Sequence, residues 1–270
     1  MRYLALYAVF AVLSLAGVVQ QWRQAVPPTY DASNAPVVTP TVRDDGMVLV
    51  PAGPFVMGSE MASDQLPVRR IWLPEFWIDR TEVTAGAYEQ FRQAKNLPEP
   101  GPPLWRDGEL IAEFAEHPAY PISWARADEY CRAMGKRLPT EAEWEKAARG
   151  PDERLFPWGN DWNNRMANNS DINIDRDIRS RPVGSFPEGA SPYGVLDMAG
   201  NVAEWVKDIY EPDAYSRSRL VFRPPWEPAP HVLRGGSFAG NQFTLSAAHR
   251  SHGDIDPEAA NMGFRCASDR

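Results

Sequence analysis

The sequence predicts a loop-rich α+β domain with little regular secondary structure. Three observations carry this. Twenty-six prolines and 19 glycines are scattered through the 270 residues, which disfavours long helices and a doubly wound sheet alike. Helical periodicity is readable only in three short stretches before residue 151. From 151 to 270 regular periodicity nearly vanishes, and Gly, Pro, Asn and Asp punctuate short apolar runs. A hydrophobic content of 43% with charge of both signs marks a folded chain, long enough for one sizeable domain or two small ones. The formal net charge of −8, with no basic stripe, argues against a nucleic-acid partner, because that binding needs clustered Lys and Arg on phosphates.

The elements follow in order. Arg2 precedes an apolar run over 3–19 that stops at Gln20, Gln21, Trp22 and Arg23. A run of about 17 residues sits at the short limit for spanning a bilayer and also near a long signal-peptide core. No small-x-small cleavage site ends it, and Trp22 and Arg23 suit an interface. Residues 1–23 are therefore a signal anchor or a signal peptide. Either exports the rest, and the anchor places the domain outside the cytoplasm, periplasmic if bacterial, held to the inner membrane by 3–19. Residues 24–45 are rich in Pro, Ser, Thr and Ala and read as an extended tether.

The domain runs from 46 to 270. "MVLVPAGPFVMGS" gives two short strands around a Pro-Ala-Gly turn, and "IWLPEFWIDRTEV" a second extended pair. A helix starts at Thr84 with Tyr88 and Phe91 on one face. A second starts at Ser123, where Ala127, Tyr130, Cys131 and Met134 share a face and Gly135 suits the stop. The third has Thr140 as N-cap, Glu143 completing a capping box, and Gly150 as C-cap. Cys131 and Cys266 are the two cysteines. Spacing alone leaves a bridge and two buried thiols both open.

Three segments could carry chemistry. In "ANNSDINIDRD", Asp171, Asn173, Asp175 and Asp177 alternate, so an extended backbone aims their hard oxygens to one side, as Ca²⁺ prefers. A solvated acidic loop is the alternative, and Arg176 in place of glycine excludes an EF-hand. In "DMAGNVAEWVKD", a turn at Gly200 lets Asn201 and Glu204 approach one cation, or leads into a strand with Trp205 in the core. In "RGGSFAGNQFTLSAAHRSH", Gly235 and Gly236 bring backbone close to a pocket beside Ser237. His249 and His252, with Asp254 and Asp256 beyond, have residue types that bind iron or zinc, yet such a pair more often lines a surface. Ser237 has no base beside it in sequence to make it a nucleophile.

Taken in order, "VPAGPFVMGS", "DRTEVTAGAYEQF", "YPISWARADEYCRAMGKRLPTEAEWEKAARG", "FPWGN", "RPVGSFPEGASPYGVLDMAGNVAEWVKD", "LRGGSF" and "NMGFRCA" resemble the formylglycine-generating enzyme (sulfatase-modifying factor) family. The resemblance covers about residues 46–270. It implies a compact, C-type-lectin-like fold with structural Ca²⁺. It places Asn201, the Val202 carbonyl and Glu204 at one calcium site, and Asn168, Asn169 and Asp175, or Asp177 in its stead, near another. It also implies a Cys131–Cys266 disulfide.

The departure from the family falls on its copper(I) thiolates. Their positions hold Gly240 and Gln242, and soft Cu(I) selects sulfur. No copper and no formylglycine chemistry are expected. The chain is similar to cysteine-less members such as periplasmic regulators of type VI secretion, which implies a module that binds an envelope or membrane protein. The alternative is a repurposed periplasmic oxidoreductase of the pyoverdine-maturation kind, with Ser237, His249, Arg250 and His252 as its pocket residues.

Overall fold

The computed structural model describes residues 39–172, 180–217, 229–253 and 261–270. The apolar run, most of the tether, and Asn173, Asp175, Asp177, Asp254 and Asp256 lie outside the described residues. Strands β1 (Met47–Val50), β2 (Gly53–Met57), β3 (Arg69–Leu73) and β4 (Phe76–Asp79) precede helix α1 (Ala85–Lys95). The ribbon of β5 (Trp105–Arg106) and β6 (Glu109–Leu110) follows, then helices α2 (Trp124–Ala133) and α3 (Glu141–Arg149). The last strands are β7 (Ala203–Ile209), β8 (His231–Arg234), β9 (Ser251–Gly253), β10 (Met262–Phe264) and β11 (Ala267–Ser268). This is the loop-rich α+β arrangement expected from the sequence.

The helices end where their caps dictate. The Thr84 hydroxyl accepts from Ala87 N, and Asn96 closes α1 in the left-handed region at φ 53°. α3 carries the full capping box between Thr140 and Glu143, satisfying two orphan backbone donors at its start. Ser123 stands at the N-cap of α2 without a side-chain bond.

A three-stranded antiparallel sheet in the order β1-β4-β11 ties the first strand of the domain to the last. A four-stranded sheet in the order β10-β7-β8-β9 forms the centre, with β10 parallel to β7 and the other pairs antiparallel. Two cores flank it. One gathers Tyr88, Phe91, Trp105, Tyr130 and Phe264 beside the Cys131–Cys266 disulfide, whose Cα atoms are 5.6 Å apart. The other surrounds Trp144 of α3 with Val48, Phe55, Ile78, Val206 and Val232. Among the described residues no helix is long and apolar enough to cross a membrane.

Candidate functional site

β8 ends in Arg234, a fully buried guanidinium that bonds the Glu145 carboxylate at 2.6 Å, Glu141 at 3.3 Å and the Ala247 and Ala248 carbonyls. The chain then turns through Gly235 (φ 83°) and Gly236 (φ 64°). The second glycine is obligatory on space as well as dihedral: a Cβ there would lie 2.6 Å from the Thr244 carbonyl oxygen. Ser237 follows, nearly buried, its hydroxyl accepting from Asn261 Nδ2 at 2.8 Å and from Ala239 N. It holds a turn together.

Three residues on, the turn closes on itself. Gly240 N donates to the Ser237 carbonyl and the Gly240 carbonyl accepts from Ser170 N. A Cβ at Gly240 would sit 2.5 Å from both Leu245 Cδ1 and Thr244 Oγ1, distances that side-chain carbons do not adopt. Gln242 is exposed on the same loop. The position that the resemblance gives to the first sulfur thus lacks a thiolate, and a side chain there would require the ends of the Leu245 and Thr244 side chains to shift.

The remaining pocket residues separate. Arg250 is buried and bonded to both Glu141 oxygens, at 2.6 and 3.2 Å, and to the Asp64 and Glu211 carbonyls. It also stacks over the Tyr210 and Tyr215 rings. His249 is half-buried, and burial followed by the Arg234 charge holds its imidazole below the usual range. His252 is exposed on β9 and leans on the Tyr210 ring at 4.5 Å. Arg250 therefore belongs to a buried ion network with Glu141, Glu145, Arg149 and Arg234. The sequence reading missed the glutamates of that network. Their i, i+4 spacing on a capped helix was the available signal.

The Asn201 region is a second cluster. Asn201 lies in the left-handed region at φ 59°, just after Gly200, whose Cβ would be 2.1 Å from the Asn168 carbonyl oxygen. The Asn201 Oδ1 accepts from Asn168 Nδ2 at 3.1 Å and from Arg181 N at 2.8 Å, and its Nδ2 donates to Glu82 Oε1 at 3.0 Å. Asn169 turns to local backbone, its Nδ2 donating to the Asn164 and Ala167 carbonyls and its Oδ1 accepting from Asp171 N. Val202 is buried in the first core.

Glu204 is fully buried. Its Oε2 accepts from Arg265 Nε at 2.6 Å and Trp144 Nε1 at 2.8 Å, and its Oε1 from Arg265 at 2.6 Å, leaving one lone-pair site on Oε1. The structure thus brings Asn168 and Asn201 together and commits most of Glu204 to a guanidinium. Two carboxylates that the sequence reading missed lie beside them. Glu82 is buried and its Oε2 has no donor, while Asp197 accepts from Gly184 N at 2.6 Å. Burial, then repulsion from Asp197, pushes the Glu82 carboxyl well above its ordinary range, and burial raises Asp197 too. Three carboxylates around the single Arg265 guanidinium leave an oxygen-rich, undercompensated cluster. Among the described residues no group of three or more His, Cys, Asp or Glu side chains is arranged to hold a metal ion, and a proton shared by Glu82 and Asp197 relieves the same repulsion.

Comparison with known proteins bears on the family. The family model described as Sulfatase-modifying factor enzyme 1-like domain matches residues 33–270. The chain is 30% identical to the formylglycine-generating enzyme of Bos taurus, over 88% of this chain and 79% of that protein. It is 35% identical to the serine/threonine-protein kinase pkn1 of Chlamydia caviae over 82% of this chain, but spans only 37% of that relative's length. Among solved structures, PvdO from Pseudomonas aeruginosa superposes with a TM-score of 0.67 at 26% identity, covering 86% of this chain and 98% of that one. The chain belongs to the sulfatase-modifying factor enzyme 1-like (formylglycine-generating-enzyme-like) domain family.

Proposed function

We propose that this chain is a non-catalytic member of its family: an exported, membrane-tethered module that binds an envelope protein partner or serves as accessory subunit of an envelope complex. The observation that carries the reading is Gly240. The place that the resemblance gives to a metal-binding thiolate is a glycine in a closed turn, and Gln242 offers only a hard oxygen. Around that turn, the groups nominated for chemistry serve packing. Arg250 is spent on Glu141 and Ser237 on Asn261. The domain's occurrence as one part of a longer chlamydial kinase fits a module used for association.

In this reading calcium is structural. The family resemblance assigns Asn168, Asn169 and Asp175 to one site and Asn201, the Val202 carbonyl and Glu204 to the other; binding at the second requires Asn201 and Glu204 to give up bonds they make to Arg181 and Arg265. Anchorage by residues 3–19 supplies the location.

A repurposed oxidoreductase is the second reading, favoured by the likeness to PvdO, with Ser237, His249, Arg250 and His252 as its pocket. Metal analysis of protein purified from its own host, with and without His249→Ala/His252→Ala, separates the two. The binding module carries no redox metal, leaves a sulfatase-type cysteine peptide unconverted, and keeps its partner in the double variant. A redox metal near one per chain, lost together with the host phenotype in that variant, overturns it.

A further inference from the structure

The central sheet is irregular at the middle of β7. Trp205 pairs with Leu233 and Ile209 with His231, so β7 runs on for two residues more than β8 between the same two pairs. A bulge of this kind releases backbone from the neighbouring strand and re-aims it. Here it turns to the helices. The Val206 carbonyl accepts from Trp124 Nε1 at 2.8 Å, Lys207 N donates to the Pro139 carbonyl at 2.8 Å, and an Asp208 carboxylate oxygen accepts from Glu141 N at 2.7 Å. Residues 206–208 thereby hold the first turns of α2 and α3 to the sheet.

His231 closes this joint from β8. Its ring lies parallel to the Trp124 indole, with centroids 3.8 Å apart and planes 13° apart. It is 8% exposed, and its Nδ1 is buried without a hydrogen-bond partner. A neutral imidazole tolerates this, because the orphaned nitrogen can be the one that carries no proton. An imidazolium does not, since both nitrogens are then donors and the charge itself is buried. The charged groups nearby do not reverse the balance. Asp128 of α2 favours the charged form but is paired with Arg132 at 2.9 Å. On β7, Lys207 is exposed and Asp208 is bonded to α3. Arg234, further along β8, is spent on Glu141 and Glu145, and His252 of β9 pairs with Val232 and so points to the other side of the sheet. Burial outweighs Asp128 and the adjoining Lys207 and Asp208 backbone, and holds the His231 imidazole below its ordinary 6.5.

We propose that His231 is a proton-sensitive latch: its neutral ring holds the start of α2 on the β7 bulge, and protonation in mildly acidic solution opens the Trp124 stack and loosens that end of the helix. A depressed folded-state value means that the unfolded or opened chain takes the proton first. The latch is therefore fully closed above pH 6.5 and is lost as pH falls through the lower folded value. Asp208 works in the opposite sense. Burial, then the Glu141 charge, push its carboxyl up to about 6, so falling pH relieves it. Only the histidine accounts for opening in acid. The inference goes beyond the envelope-partner reading and does not depend on it.

The test uses the full chain in neutral detergent over about pH 8 to pH 5. Exchange of the imidazole Cε1 proton, read by mass spectrometry, gives the His231 titration directly. Amide exchange, corrected for its intrinsic pH dependence, follows the first hydrogen-bonded turn of α2, which begins with Ala127 N on the Ser123 carbonyl. Burial also depresses His117 and His249, so a local readout is needed in place of a global midpoint. His231 is expected to titrate below 6.5, and protection at 127–130 to fall at least about fivefold as it does. His231→Phe keeps a ring on Trp124 without a titrating group and should abolish the step; His231→Gln serves if the phenyl ring does not fit. Asp208→Asn should leave the step in place. A His231 that titrates at or above 6.5, as an imidazolium held by the indole face would, overturns the proposal. So does pH-independent exchange at 127–130, a step that survives in the His231 variants, or one that vanishes in Asp208→Asn.

Discussion

Lys146 shows how much one residue can commit this fold to. It is 1% exposed, its ammonium donates to the Pro51 and Gly53 carbonyls, and no carboxylate partners it among the described residues. Burial alone pushes its pKa down to about 8, from an ordinary 10.5. A depressed folded-state pKa means that the unfolded chain binds the proton more tightly. The group's contribution is therefore fully present above pH 10.5 and lost as pH falls through about 8. Stability should climb between those values by at most about 3 kcal/mol, measured by denaturant unfolding. Lys146→Met should remove that slope, and a wild-type profile flat across the window would contradict the burial argument. Gly240 makes the opposite commitment, to having no side chain. Gly240→Ala should cost about 1–3 kcal/mol because the Leu245 and Thr244 side chains must yield. An unchanged midpoint would mean that the turn is open enough to house a ligand after all.

At the scale of the element, α3 is the joint of the molecule. Its start is set locally by the capping box, and its buried face carries Glu141 and Glu145 into the Arg234–Arg250 network. The two features should differ sharply in cost. Thr140→Ala removes one cap and should cost about 1 kcal/mol. Glu145→Ala strips a carboxylate from Arg149, Arg234 and Gly58 N at once, and should cost about 3–5 kcal/mol by leaving buried charge unpaired. Equal midpoints for the two variants in urea would show that the network is not what holds β8 against the helix. The helix was legible in the sequence because its start, stop and apolar spacing are all local signals. Gly235 and Gly200 were legible for the same reason. What could not be read was tertiary: β7 takes β10 as a parallel neighbour although β8 and β9 intervene in sequence, and Glu82 meets Asp197 and Glu204 from a distant part of the chain. Arg250 and Ser237 looked available for chemistry because their buried partners lie far away in sequence or past the next strand.

At the scale of the whole molecule, two devices stand in for the regular structure that this chain lacks. The Cys131–Cys266 bond joins α2 to the segment between β10 and β11, across a sequence separation of 135. Restricting so long a loop in the unfolded chain is worth about 2–5 kcal/mol, and Cys131→Ala/Cys266→Ala should lower the unfolding midpoint accordingly. The second device is the proposed calcium. The Asn201–Glu204 region pins the turn before β7 to Asn168, Arg181 and Arg265, so that three loops far apart in the chain depend on one cluster. Glu82, Asp197 and Glu204 lie near the Arg265 guanidinium, and a bound divalent cation would add to that compensation. A ligand that binds only the folded chain stabilises it by mass action, so excess chelator at neutral pH should lower the thermal midpoint and added Ca²⁺ should restore it. The two devices act on different states, the bond on the unfolded chain and the ion on the folded one. Their effects should therefore nearly add when the protein is both reduced and chelated. Protein that carries no calcium as purified, and whose midpoint ignores the chelator, would leave Glu82 and Asp197 to be satisfied by a shared proton instead.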